Sequence, residues 1–150
     1  MAERGSIGWT PFYSRGKFCT IQCDFICMIS PAMSRRFVIP ALAEEAAHLD
    51  HCVYHFDGPG ALPHFDDICS IRDIDVIQWV QGSGQGRHVN WIDLLKRFQA
   101  AGKGLQVCGT TDEVKVLHRE LRPEKVLYCV SGVRSVREGE ELIRWFERNT

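Results

Sequence analysis

Apolar residues along the chain fall into short runs separated by longer amphipathic stretches. Runs of four to seven residues rich in β-branched and aromatic side chains are typical of buried β-strands. Five such runs are present, and they begin at Phe18, Cys52, Ile74, Leu105 and Val126. The sequence therefore predicts five strands between residues 18 and 130.

Amphipathic stretches with apolar residues at spacings of three and four separate these runs and predict helices. The first begins at Ser30-Pro31, an N-cap followed by proline at the first helical position, and Pro40 predicts a kink within it. The last begins after Ser135, which forms a capping-box pattern with Glu138. We expect that helix to bury Leu142, Ile143, Trp145 and Phe146.

Strands that alternate with helices predict an α/β fold with a parallel sheet and right-handed crossovers. Either an open doubly wound sheet or part of a (β/α)₈ barrel satisfies this pattern. The chain has 150 residues, whereas a whole barrel needs about 200–250. Residues 1–17 show no clear period, and we expect an irregular segment there ahead of the α/β unit formed by residues 18–150.

The charge and the amino-acid composition of the chain limit the classes of molecule that we expect it to bind. The formal net charge is −1 with acidic and basic residues interspersed, so neither nucleic acid nor an anionic membrane is an expected partner. No apolar run is long enough to span a bilayer and no signal-peptide pattern is present, which predicts a cytoplasmic protein. The 7 cysteines, most of them within apolar segments, are expected to be reduced.

The stretch with the clearest chemistry is Cys52–Gly60, a predicted strand that ends in Asp57-Gly58-Pro59-Gly60. Side chains alternate along a strand, so His55 and Asp57 share one face while Tyr54 and Phe56 share the other. The carboxyl end of a parallel strand is where α/β barrels hold their catalytic groups. His55 and Asp57 are therefore the first candidates for a site.

Several motifs around this stretch resemble the uroporphyrinogen decarboxylase superfamily, and in particular its branch that neighbours the corrinoid methyltransferases. Tyr54-His55-Phe56-Asp57-Gly58-Pro59-Gly60 is the most specific of them. The others are Gln22-Cys23-Asp24-Phe25, Met28-Ile29-Ser30-Pro31, Ile77-Gln78-Trp79-Val80-Gln81-Gly82 and Ala101-Gly102-Lys103-Gly104-Leu105-Gln106.

The resemblance implies a TIM-type (β/α)₈ barrel, of which residues 18–150 match only the C-terminal half, about strands four to eight. The early strands that carry the decarboxylase's substrate-binding Asp and Arg residues have no counterpart here. A half-barrel exposes sheet edges and apolar interior. We therefore expect a homo-oligomer, or pairing with a chain that supplies the missing half.

Two chemistries are implied by the resemblance. The decarboxylases need no cofactor, but their late-strand Gly-His-Gly motif falls near residues 127–132, where this chain has no histidine. The methyltransferases use zinc held by His-x-Cys and a distant Cys, together with a corrinoid. The implied function is tetrapyrrole-related carboxy-lyase chemistry, and the alternatives are zinc-dependent corrinoid methyl transfer or a non-catalytic half-barrel.

The candidate site residues follow from this resemblance. With a metal, His55 and Asp57 would be ligands and Cys129 a third, with Cys108 the other thiol near a strand end. Without a metal, Asp57 would orient His55, which would act as a general acid or base. Asp24, Gln78 and Trp79 are expected to bind the substrate, since a flat tetrapyrrole would suit a Trp at the barrel mouth.

Overall fold

The computed structural model describes residues 5–150, so the first four residues of the segment predicted to be irregular lie outside it. In the described part of that segment, two short strands pair antiparallel: β1 (Ser6–Ile7) and β2 (Tyr13–Ser14). The rest of the described part of this segment has no regular secondary structure.

A five-stranded parallel sheet forms the centre of the fold. Its strands lie side by side in the order in which they occur along the chain. They are β3 (Phe18–Gln22), β4 (His51–Asp57), β5 (Val76–Val80), β6 (Gly104–Thr110) and β7 (Val126–Ser131). All five strands predicted from the sequence are confirmed, with β5 starting two residues later than its apolar run.

Helices connect successive strands of the parallel sheet, and a last helix follows β7. They are α1 (Pro31–Phe37), α2 (Ile39–Ala47), α3 (Phe65–Cys69), α4 (Ile92–Ala100), α5 (Thr111–Glu120) and α6 (Val136–Asn149). Short 3₁₀ segments cover Asp24–Met28, Pro59–His64, His88–Trp91 and Pro123–Lys125. Among residues 5–150, none of these helices has the length and apolarity needed to cross a lipid bilayer.

The helix predicted to kink at Pro40 is instead two helices that meet at Val38. Ser30 caps the first of them by accepting a hydrogen bond from the Met33 amide, as the sequence predicted. Pro40 lies in the first turn of α2. Proline is tolerated in a first turn, because its missing N–H has no partner there in any case, whereas inside a helix it would remove a hydrogen bond.

One face of the sheet packs on the helices and forms the core. Tyr54, Phe56 and Trp79 on this face are at most 1% exposed, and Phe56 contacts Phe98 of α4 with ring centroids 5.2 Å apart. Such burial of apolar area is the main favourable contribution to folding.

Helix α6 contributes less to the core than its sequence predicted. Leu142 is buried and Phe146 stacks on Tyr128 of β7 at 5.0 Å, but Ile143 is 58% exposed, so its predicted burial is wrong. Residues 142, 145, 146 and 149 lie on one side of a helix with 3.6 residues per turn, and position 143 is turned about 100° away from it.

The opposite face of the sheet carries a row of polar side chains that runs across four neighbouring strands. Gln22, His55, Gln78 and Gln106 are register partners on the neighbouring strands β3 to β6. Part of the irregular N-terminal segment packs beside this row, where the hydroxyls of Thr10 and Thr20 are hydrogen-bonded at 2.6 Å. Side chains that could bind a metal or transfer a proton therefore line the sheet face opposite to the helices of the core.

Candidate metal centre

Three side chains that can ligate a metal come together at the carboxyl ends of β3 and β4. One ligand atom each of Asp24, His55 and Asp57 lies within 4.8 Å of the other two. His55 and Asp57 are two residues apart on β4 and project from the same face, as the alternation of the strand predicted. Asp24 comes from the 3₁₀ segment that follows β3.

Asp24 is held beside β4 by a close contact between two loop segments. A Cβ atom placed on Gly60 would lie 2.9 Å from Cβ of Cys27, so only glycine permits this approach. Cys27 in turn donates a hydrogen bond from its Sγ to the Asp24 carbonyl oxygen at 3.2 Å. The Gly-Pro-Gly loop after β4 therefore positions a candidate ligand from the segment that follows β3.

The chain turns directly after Asp57. Gly58 adopts φ +75°, a conformation that side-chain-bearing residues rarely take. Its amide donates to the Val80 carbonyl oxygen at 2.8 Å, which ties the loop to the end of β5. Asp57 is consequently the last residue of the strand and is exposed at its rim.

Gln78 fixes the orientation of the His55 ring. The Nδ1 atom of His55 is 2.6 Å from Oε1 of Gln78, the residue beside it on β5. An amide oxygen only accepts, so Nδ1 carries the proton and Nε2 keeps a free lone pair. The orienting role expected for Asp57 therefore belongs to Gln78, which leaves Asp57 free as an oxygen ligand.

Trp9 is a neighbour of the site that the sequence pattern did not reveal. Its ring lies edge-on to the His55 ring with the centroids 5.3 Å apart. Trp9 belongs to the segment without periodicity, so its position depends on how that segment packs against the sheet. The only sequence signal was an unusual density of aromatic residues there.

Trp79 does not lie at the rim. It is 1% exposed and packs between Phe56 and Trp91, with ring centroids at 5.8 and 5.1 Å. Of the adjacent pair Gln78 and Trp79, alternation places only Gln78 on the face of His55. The structure thus puts Trp79 in the core, where a substrate does not reach it.

Cys129 does not join the cluster, although it faces the same side of the sheet. It lies on β7, three strands from β4, and accepts a hydrogen bond from Nε2 of Gln106 at 3.4 Å. Cys108 is its register partner on β6 and is exposed. Within residues 5–150, the third side chain of the group that could bind a metal is that of Asp24. The sequence had predicted a cysteine as this third ligand.

The donor set fits a divalent cation. Two carboxylates and one imidazole are ligands for zinc and for harder ions, and no thiolate is present to favour a soft metal. Two ionised carboxyl groups at this separation repel each other, and a cation between them removes the repulsion. The second nitrogen of the His55 imidazole is held by a hydrogen bond, as is usual for histidines that bind metals.

A cleft lies at the other end of the sheet. Its volume is about 490 Å³, and its walls include Phe12, Val76, Gly104 and Leu127. Val76, Gly104 and Leu127 lie at the starts of their strands, an end that in (β/α) barrels serves stability rather than catalysis. We therefore place the candidate site at the cluster and not in this cleft.

No family model, no curated protein and no solved structure matches this chain.

Proposed function

We propose that this chain is the C-terminal part of a uroporphyrinogen decarboxylase-like barrel and that Asp24, His55 and Asp57 bind a divalent metal ion at its mouth. The observation that carries the proposal is the approach of three ligand atoms to within 4.8 Å of one another. Of the two chemistries in that superfamily, corrinoid methyl transfer uses a metal, so we favour it over cofactor-free decarboxylation.

The strand order supports the barrel part of the proposal. Neighbours in the sheet are also neighbours along the chain, whereas a doubly wound sheet reverses its strand order at a switch point. A barrel wall also places its helices on the outer face and its chemistry inside. The polar row of Gln22, His55, Gln78 and Gln106 would then face the barrel interior.

Each residue of the site has a distinct task in this proposal. When bound, a divalent cation would act as a Lewis acid toward a thiol or carboxylate of the substrate. Asp24 and Asp57 would hold that cation through carboxylate oxygens and His55 through Nε2. Gln78 keeps the proton on Nδ1 of His55 through the 2.6 Å hydrogen bond, and Trp9 shields one side of the ring from water.

Carboxy-lyase chemistry on a tetrapyrrole is the second candidate, and the same hydrogen bond favours it. A His55 ring whose Nδ1 proton is fixed by Gln78 presents Nε2 as a base, or as an acid once it is protonated. In this reading no metal is needed, and Asp24 and Asp57 would bind polar groups of the substrate.

Zinc titration by calorimetry tests the proposal. The wild-type protein should bind about one Zn²⁺, and His55→Ala and Asp57→Ala should each weaken binding at least tenfold. His48→Ala is the matched control, because His48 is exposed beyond α2 and away from the cluster. A natively folded protein that binds no zinc would contradict the proposal, and metal-independent release of CO₂ from a carboxylated tetrapyrrole would favour the second candidate.

A further inference from the structure

Two cysteines lie side by side in the carboxyl halves of the last two strands. Cys108 of β6 and Cys129 of β7 are register partners, so their side chains project from the same face of the sheet. Neighbouring strands are about 4.8 Å apart, and the Cα atoms of a disulfide are usually about 4.4–6.8 Å apart. The backbone therefore holds these two residues at a separation that a disulfide can bridge.

Both thiols are free, and small molecules can reach them. Cys108 is exposed and Cys129 is partly exposed. Within residues 5–150, β7 pairs with β6 alone in the sheet, and a strand with one free side can shift slightly to bring two sulfur atoms within bonding distance. Access and freedom to move thus both favour a reaction between the two thiols.

A second pair of cysteines in the same protein shows which of these properties matter. Cys19 of β3 and Cys52 of β4 are also register partners, but Cys52 is 1% exposed and lies in the apolar core. Burial raises the pKa of the Cys52 thiol to about 12, and the thiolate is the reactive form of cysteine. The Cys19–Cys52 pair therefore has the spacing of a disulfide without the access or the ionisation that its formation requires.

Gln106 gives the two accessible thiols different roles. Its Nε2 donates a hydrogen bond to Sγ of Cys129 at 3.4 Å, and a donor at sulfur stabilises the thiolate relative to the thiol. Cys108 has more exposed surface, so it is the thiol that an incoming molecule meets first. Cys108 is thus suited to receive the oxidant, and Cys129 is suited to complete the reaction as the second nucleophile.

We propose that Cys108 and Cys129 form a reversible dithiol–disulfide couple that a low-molecular-weight disulfide, such as oxidised glutathione, oxidises. The Cys108 thiolate attacks one sulfur atom of that disulfide, breaks its S–S bond and releases one small thiol. The Cys129 thiolate then attacks Sγ of Cys108 and releases the second small thiol. The two protein thiols are oxidised, and the small disulfide is reduced to two thiols, which take up the two protons.

The first experiment locates the disulfide. The wild-type protein is incubated with reduced or with oxidised glutathione, the remaining thiols are alkylated, and the peptides are mapped by mass spectrometry. We expect a Cys108–Cys129 disulfide in the oxidising buffer alone, with Cys19 and Cys52 as unmodified thiols. A folded protein in which Cys108 and Cys129 remain thiols, or keep separate glutathione groups, would overturn the inference.

Single substitutions test the order of the two steps. Cys129→Ser removes the second nucleophile, so glutathione should stay bound to Cys108. Cys108→Ser removes the exposed thiol, and glutathione should react with Cys129 about tenfold more slowly than with Cys108. Cys27→Ser is the matched control, because Cys27 is an exposed cysteine of another segment, and it should form the Cys108–Cys129 disulfide at the wild-type rate. Failure of Cys129→Ser to retain glutathione on Cys108 would contradict the proposed mechanism.

Thermal unfolding measures whether the bond fits the native fold. Oxidised wild-type protein should melt about 5–10 °C above the reduced protein, because a disulfide between residues 108 and 129 restricts the unfolded chain, and dithiothreitol should reverse the rise. Cys108→Ser cannot form the bond and should melt at the same temperature in both buffers. A lower melting temperature after oxidation would show that the native strands do not accommodate the bond and would overturn the inference. These measurements need no Zn²⁺, so failure of the proposed metal site would leave their outcome unchanged.

Discussion

Gln78 determines which nitrogen of His55 is available at the cluster. Its Oε1 lies 2.6 Å from Nδ1, so the ring presents Nε2 as its lone-pair donor. Partners of this kind fix both the tautomer and the orientation of a metal-binding histidine. We therefore expect the affinity of this site for a metal to depend on Gln78, although Gln78 is not one of the proposed ligands.

Gln78→Leu should weaken zinc binding about 10–100-fold, the effect typical of losing such a partner. The reason is that the His55 ring would lose the hydrogen bond that fixes its tautomer. Gln85→Leu is the control, because Gln85 lies in the exposed loop after β5. Calorimetric titration measures the effect, and unchanged affinity in Gln78→Leu would show that His55 does not depend on Gln78.

Single residues of the site were predictable only where alternation along a strand decides their direction. That rule placed His55 and Asp57 on one face from the sequence, and it put Gln78 and Trp79 on opposite faces without deciding which of them lies beside His55. Whether Asp24 or Cys129 lies beside His55 and Asp57 could not be predicted from the sequence, because it depends on how segments that are distant along the chain pack together. Trp9 escaped prediction for the same reason.

Among the elements, the loop that follows β4 does the most to shape the site. Gly60 lets the Pro59–His64 segment approach the Asp24–Met28 segment, where an added Cβ would lie 2.9 Å from Cβ of Cys27. A contact this short would force one of the two segments to move. If the Asp24–Met28 segment moved, Asp24 would move with it.

Gly60→Ala should therefore weaken zinc binding by about tenfold while the protein stays folded, since the cost of overpacking is typically about 1–3 kcal/mol. Gly139→Ala in α6 is the control, because a Cβ there would meet Val133 at an ordinary 3.7 Å. Parallel measurements of zinc affinity and thermal unfolding check this prediction. Wild-type zinc affinity in Gly60→Ala would show that the contact does not position Asp24.

The start of α5 gives a pH-dependent contribution to stability. The Thr110 backbone N–H, followed by Arg87, donates hydrogen bonds to the Glu113 carboxylate and lowers its pKa from 4.5. A carboxyl group with a lowered pKa in the folded state stabilises the fold fully above the unfolded value, and this stabilisation is lost as the pH falls below it.

Glu113→Gln should therefore lower the free energy of unfolding by about 1 kcal/mol at pH 7. The difference from wild type should shrink as the pH falls below 4.5. Urea unfolding at a series of pH values measures it, with Glu147→Gln in the last turns of α6 as a control on the helix surface. A difference that persists at low pH would show that the charge of Glu113 is not its cause.

At the scale of the whole molecule, β3 and β7 are the edge strands of the five-stranded sheet. Within residues 5–150, β3 and β7 each pair with one strand of the main sheet, and exposed edge strands tend to pair with other chains. Completion of a barrel would cover both edges and the polar face between them. We propose that this chain associates with a second copy, or with a chain that supplies further strands.

Light scattering should show a mass above that of the monomer which increases with concentration. Leu127→Lys, which places a charge on the open face of β7, should shift the protein toward monomer. Val116→Lys is the control, because Val116 is 42% exposed on α5, away from both edges. A wild-type protein that is monomeric at every concentration would contradict the association.

The order of strands and helices was predictable because the periodicity of apolar residues is a local property. The break at Val38 and the exposure of Ile143 were not, since they depend on which turn of a helix meets its neighbour. The order of the strands within the sheet was not predictable either, because no local pattern contains it.

Diffraction from crystals grown with Zn²⁺, recorded at the zinc absorption edge, tests the central claim most directly. We expect one strong anomalous peak in contact with Asp24, His55 and Asp57, and no such peak in crystals of Asp57→Ala. A strong peak bound by cysteine thiolates, or no peak at the ends of β3 and β4 in a natively folded protein, would contradict the metal site.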